Sequence, residues 1–166
     1  MKTETKLKIL VTLVLVLWYI AMPQQGYMPF SEDYTHTTYM LCHANFWHLA
    51  ANIFVLWMIR DELYLTSSIL IAFLFSFVPV LGTVWDGFVF ADQTMGFSGV
   101  IFAICGIKWG RYIWRQNGEK ERRLSTKAFL YKALPFAFVG VLIPHVNWCL
   151  HLYCMLAGFV YGRCRR

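Results

Sequence analysis

Six apolar blocks set the limits on what this chain can fold into. They run approximately from Leu7 to Met22, Phe46 to Ile59, Thr66 to Trp85, Ser98 to Trp114, Phe129 to Ile143 and Trp148 to Tyr161. Crossing a hydrocarbon core of about 30 Å takes roughly 20 mostly apolar residues. Six such blocks in 166 residues leave no room for a separate soluble domain, so residues 1–166 are expected to form a single membrane domain. Backbone groups in lipid must find partners within their own segment, which makes the blocks helices. No alternating strand pattern competes. Composition agrees, with 58% hydrophobic and 14% charged residues, against about 45–50% and 25% in soluble domains.

Lys and Arg predict the orientation. Lys2, Lys6 and Lys8 precede the first block, and Arg60 follows the second. A basic run from Lys108 to Lys127 accompanies the fourth block, and Arg163, Arg165 and Arg166 end the chain. The opposite connections hold Glu32, Asp33, Asp86 and Asp92 with no Lys or Arg. This pattern predicts an all-α, six-transmembrane-helix bundle with both termini cytoplasmic. Trp18, Tyr19, Trp57, Trp85, Trp109, Trp114 and Trp148 sit at block ends, as interfacial belts require.

Other classes fit poorly. The net charge of +6 invites comparison with nucleic-acid binders, but the basic residues flank apolar blocks, where topology accounts for them. The five cysteines (Cys42, Cys105, Cys149, Cys154, Cys164) form no CxxC pair and no metal spacing. No metal, nucleotide or other cofactor is expected. Met22-Pro23-Gln24-Gln25 lacks the small residues of a signal cleavage site, so the first block is expected to be retained as a span.

Polar groups inside spans are costly and usually functional. Three clusters interrupt the blocks. In His43–Asn52, His48 and Asn52 are four apart and share a helix face, with His43 towards the outer mouth. In Met95–Gly106, Ser98 opens the fourth block between Gly96 and Gly99, and Ala103, Gly106 and Gly110 continue a stripe of small residues. In the sixth block His151 heads a second small face of Cys154, Gly158 and Gly162. Each cluster also has a plain structural reading. Serine caps helices well, and polar and small residues join helices in membranes.

If the two small faces pack together, His151 approaches Ser98. Serine becomes a nucleophile when a base takes its proton, and histidine is the usual base. The oxyanion then needs aimed donors. His48, Asn52 and the Ser98 backbone N–H supply them. No carboxylate lies within a block to orient His151. The predicted chemistry is hydrolysis by a Ser–His dyad.

These motifs resemble the rhomboid family of intramembrane serine proteases. His43-x4-His48-x3-Asn52 resembles its second-span motif. Gly96-Phe97-Ser98-Gly99 resembles its GxSG motif, and His151 with Gly158 and Gly162 resembles its sixth span. The resemblance implies Ser98 as nucleophile and His151 as general base. It implies an oxyanion hole of His48, Asn52 and the Ser98 backbone, with His43, Gly96, Gly99 and Phe102 in support. His43 would hold the site and its water, and Phe102 would stack on the base. Transmembrane protein substrates and the lipid bilayer are the implied partners, with no nucleic acid. Loop 23–42 and the fifth span, with Pro135 and Pro144, would be the movable parts.

Two positions depart from the family pattern. Cys154 replaces the first glycine after the histidine, which predicts a slightly wider gap between the two spans. Tyr34-Thr35 stands where the first outer loop often carries Trp-Arg. Short loops suit a bacterial inner membrane. The competing readings are a catalytically inactive rhomboid-like protein that binds membrane clients, a small transporter or channel, and a purely structural membrane protein. The transporter reading favours intramembrane carboxylates, which are missing here. The structural reading requires Ser98 and His151 to lie far apart.

Overall fold

The structure is a computed structural model, and it describes residues 3–27, 34–59, 64–77, 94–115 and 146–164. They are mostly helical: α1 (Thr3–Ala21), the single turn α2 (Thr35–Thr38), α3 (Phe46–Met58), α4 (Leu65–Phe75), α5 (Ser98–Arg115) and α6 (Trp148–Cys164). Five of the expected spans correspond to α1, α3, α4, α5 and α6. The expected fifth span, with Pro135 and Pro144, lies outside the described residues, as does the stretch 78–85 of the third.

Among the described residues, no helix is long and apolar enough to cross a membrane. The physical reason differs from helix to helix. α3 and α4 have only 13 and 11 residues. The longer α1 and α5 carry charges at one end, Glu4, Lys6 and Lys8 in the first and Lys108, Arg111 and Arg115 in the second. Their outward faces are nonetheless apolar, unlike those of a water-soluble bundle. On α1, Leu10, Leu13, Val14, Leu17 and Ile20 face outward at helical spacing, while Val11 and Leu15 are buried. Phe54, Trp57 and Met58 on α3, Leu70 and Leu74 on α4, and Leu152, Leu156 and Val160 on α6 are exposed as well. The largely apolar interior also holds the polar residues His43, Asn52, Asn147 and His151.

The centre of the fold is the pair α5 and α6, with α4 laid against both and α1 against α3. The pairing rests on glycine. A Cβ on Gly106 would stand 2.1 Å from the Met155 carbonyl oxygen, and one on Gly110 2.2 Å from that of Phe159. From the other side, Gly158 and Gly162 face the carbonyls of Ala103 and Ile107 at 2.5 and 2.3 Å. Backbone meets backbone along the whole seam, as small-residue faces allow. Cys154 is fully buried above Gly158 on α6.

Hydrogen bonds join the remaining elements. The Lys8 ammonium pairs with Glu4 at 3.3 Å and donates to the Ile59 carbonyl that ends α3. Trp57 Nε1 donates to Thr12 Oγ1 at 3.0 Å. The buried Tyr39 hydroxyl reaches the Ala72 carbonyl at 2.6 Å, and the Tyr27 hydroxyl that of Ser76 at 2.7 Å. Tyr34 and Thr35, which stand in place of Trp-Arg, lie at the start of α2. The Tyr34 hydroxyl donates to Gln25, and Thr35 is buried.

Candidate active site

The first turns of α3, α5 and α6 converge near the ends that follow residues 45, 97 and 147. Ser98 is the first residue of α5 and is half-buried. Its Oγ lies 2.9 Å from His151 Nε2, one turn into α6. The Phe102 ring, one turn below Ser98, stacks on the imidazole with centroids 4.3 Å apart and planes 19° from parallel. This fixes the ring plane with Nε2 turned to the serine. Nδ1 of His151 is buried and finds no hydrogen-bond partner among the described residues. Nothing there supplies an orienting carboxylate, so aromatic stacking takes over the positioning. The seam accommodates Cys154: the dyad directly above it is at hydrogen-bond distance, and no extra gap has opened.

The other flank of Ser98 faces α3. Gly96 has φ +118°, a conformation that side chains rarely adopt. A Cβ there would also stand 2.7 Å from the His48 ring and 3.5 Å from Asn52 Nδ2. His48 and Asn52, stacked on one face of α3, therefore both look onto the backbone just before Ser98. Asn52 is buried, and its Nδ2 finds no acceptor among the described residues. A buried donor without an acceptor is costly. Here it stands beside the Gly96 backbone, two residues before Ser98. Asn45 starts α3 by accepting the His48 backbone N–H at 2.9 Å, which sets the height of both side chains.

His43 is fully buried, deeper than a residue at the mouth that holds water. Both ring nitrogens are used by the protein. Nδ1 lies 3.0 Å from the Leu41 carbonyl, so it carries the proton, and Nε2 accepts the Phe97 N–H at 3.5 Å. Burial first, and then the nearby His48, pushes the His43 pKa down to about 4, against the Leu41 carbonyl. The neutral ring thus steadies the backbone between Gly96 and Ser98. The Gly96 N–H is itself held by the Tyr39 carbonyl at 2.9 Å.

A rhomboid-domain family model matches residues 31–166. The chain belongs to the rhomboid family. No curated protein matches it. Rhomboid proteins are integral membrane proteins, usually serine proteases that act on membrane-protein substrates within the bilayer, and the family includes inactive rhomboid-like members. The exposed apolar faces of α1, α3, α4 and α6 suit a rhomboid's lipid surroundings.

Motif reading alone does not find three residues of this rhomboid's site. Gln24 lies before the matched stretch, just after α1. Its amide donates to carbonyls at the end of α1, the nearest being Met22 at 2.7 Å, and its Oε1 accepts the His43 N–H at 2.9 Å. Asn147 caps α6 by accepting the Leu150 N–H at 2.9 Å, and its Nδ2 donates to Thr94 Oγ1 at 2.7 Å. Thr94 in turn forms a two-residue antiparallel bridge with Tyr27, through N–H···O contacts of 2.7 and 2.8 Å. The one local signal was Asn147 directly before an apolar block, which reads as a helix cap. The purely structural reading requires the dyad residues to be far apart, and they are 2.9 Å apart.

Proposed function

We propose that this rhomboid is an intramembrane serine endopeptidase that cleaves transmembrane segments of membrane proteins through a Ser98–His151 dyad. The single observation that carries the reading is the 2.9 Å contact between Ser98 Oγ and His151 Nε2, made above a stacked Phe102 and beside Asn52, whose Nδ2 finds no acceptor among the described residues. The proposal takes residues 1–166 as one membrane domain with six spans and both termini cytoplasmic, in a bacterial inner membrane.

The chemistry follows from the positions. A substrate segment unwinds at the outer face, and its scissile carbonyl meets Ser98. The Ser98 proton passes to His151 Nε2 as the Oγ–carbon bond forms. Charge on the carbonyl oxygen is taken up by the Asn52 amide, the His48 ring and the Ser98 backbone N–H. His151 then gives its proton to the leaving amine, and the peptide bond breaks. Water, activated by the same imidazole, hydrolyses the acyl-enzyme and restores Ser98. The residues named here carry every proton step, and the scheme calls for no metal or nucleotide.

Wild type and Ser98→Ala, purified in detergent and incubated with a panel of transmembrane substrates, test the proposal. Cleavage by wild type and none by Ser98→Ala or His151→Ala is the expected result, with fluorophosphonate labelling only where Ser98 is present. If wild type cuts no member of the panel and resists the label, the protease reading falls and the non-cleaving, client-binding reading replaces it.

A further inference from the structure

Nucleophile and base sit on different helices, 53 residues apart in sequence. The segments leading into them are joined four residues earlier on each side. Thr94 precedes Ser98 by four residues, and Asn147 precedes His151 by four. Their side chains meet at 2.7 Å, and both are buried. We propose that Asn147 and Thr94 are positioning residues that form a clamp setting the register between Ser98 and His151. The proposal rests on the dyad reading above.

Three observations support it. The Asn147 side chain is used at both ends: Oδ1 caps α6 at Leu150, and Nδ2 reaches Thr94. A cap alone needs only the oxygen. Thr94 is also fixed from behind, because both its backbone groups pair with Tyr27. The clamp is therefore anchored to a third segment and does not drift with α5. Finally, the glycine seam restrains α5 and α6 lower down, from Gly106 and Gly158 towards their far ends. Above the seam, the clamp is a side-chain hydrogen bond between the two segments on the outer side of the dyad. Two restraints, one on each side of the Ser98–His151 contact, define its length; the Phe102 stack orients the imidazole between them but is not a directional bond between the two segments.

The test uses full-length protein in detergent. Thr94→Val keeps the shape of the side chain and removes the acceptor, and Thr94→Ser restores a hydroxyl. Asn147→Ser keeps a capping oxygen but is too short to reach Thr94, so it separates capping from clamping. Displacement of reacting groups by about 1 Å costs on the order of 100-fold in rate. The expected result is a ten- to hundredfold lower kcat for Thr94→Val and Asn147→Ser with KM unchanged. Recovery in Thr94→Ser is expected, and melting temperatures within a few degrees of wild type. A second readout does not need turnover: the 15N resonance of the His151 imidazole, assigned with His151→Gln, shifts towards that of Ser98→Ala in the two clamp variants. Wild-type kcat in Thr94→Val and Asn147→Ser, or a loss in Thr94→Ser as large as in Thr94→Val, overturns the clamp. If wild type itself cuts nothing, the imidazole resonance still decides: a shift in Thr94→Val upholds the clamp while the protease reading falls, and no shift overturns it.

Discussion

Replacing Gly106 by Ala adds one methyl group where the structure has room for none. The new Cβ would stand 2.1 Å from the Met155 carbonyl oxygen, and ordinary contact begins at 3.4 Å. The shortfall is 1.3 Å, and the facing atoms are backbone, so no side chain can swing aside. The two helices have to separate. Overpacking of this kind costs about 1–3 kcal/mol, partly offset by the roughly 0.5–1 kcal/mol that Ala gains over Gly within a helix. A net loss of about 1–2 kcal/mol is expected. The effect on rate is larger. Met155 lies one turn below His151, so part of a separation near 1 Å at the seam reaches the 2.9 Å dyad contact, against the Thr94–Asn147 bond on its other side. A roughly ten- to hundredfold lower kcat follows. The assay is cleavage of a transmembrane substrate alongside thermal unfolding in the same detergent. Gly99→Ala is the contrast, since the atoms nearest its Cβ would be those of the Leu150 side chain, at 3.1 Å, which can shift. Wild-type kcat and stability in Gly106→Ala would refute the reasoning, as would equal losses in the two variants.

Three further outcomes are expected. Asn52→Ala should lower kcat by about 100- to 1000-fold, the usual cost of one oxyanion donor, with little loss of stability because Asn52 Nδ2 gives up no partner among the described residues; steady-state kinetics and a melting curve check both parts. The His43 pKa is held near 4, below the ordinary value of 6.5, so its neutral form favours the fold fully above pH 6.5. That stability falls away as pH drops from 6.5 to 4, by up to about 3 kcal/mol, and His43→Gln should flatten this part of the melting temperature against pH. Gln24→Met removes the acceptor for the His43 N–H and the donor to the end of α1, and should cost about 1–3 kcal/mol of stability, measured by thermal unfolding.

The helical character of the chain was legible from block length alone, and the candidate dyad from two faces of small residues. Ala103, Gly106 and Gly110 on one block and Cys154, Gly158 and Gly162 on another recur at helical spacing, which is a local signal. Phe102 was legible only through the resemblance, which implies an aromatic ring one turn from Ser98. The wider gap expected from Cys154 was not found, because the thiol is fully buried in a seam whose close contacts are made by the glycines below it. His43 was expected near the mouth, where it would hold water. Its burial depends on Gln24, Leu41 and Phe97 closing around it, and no periodicity reveals that. Gln24, Thr94 and Asn147 escaped for the same physical reason. Each acts through a hydrogen bond to a segment at least 19 residues away; a lone Gln or Thr outside an apolar block carries no distinguishing pattern, and the helix-cap signal of Asn147 says nothing of its bond to Thr94.

The glycine seam has one consequence for how the dyad responds to heat. A contact between side chains loosens as its rotamers begin to exchange. Glycine has no χ angles, and carbonyl oxygens on a helix have nowhere to turn. Along the stretch from Gly106 to Gly162 the α5–α6 contact therefore has few alternative side-chain states to melt into. Thermal motion reaches Ser98 and His151 through displacement of whole helices, which is a stiff mode. The distance between nucleophile and base should stay nearly constant with temperature until the bundle itself unfolds, and activity should end abruptly there.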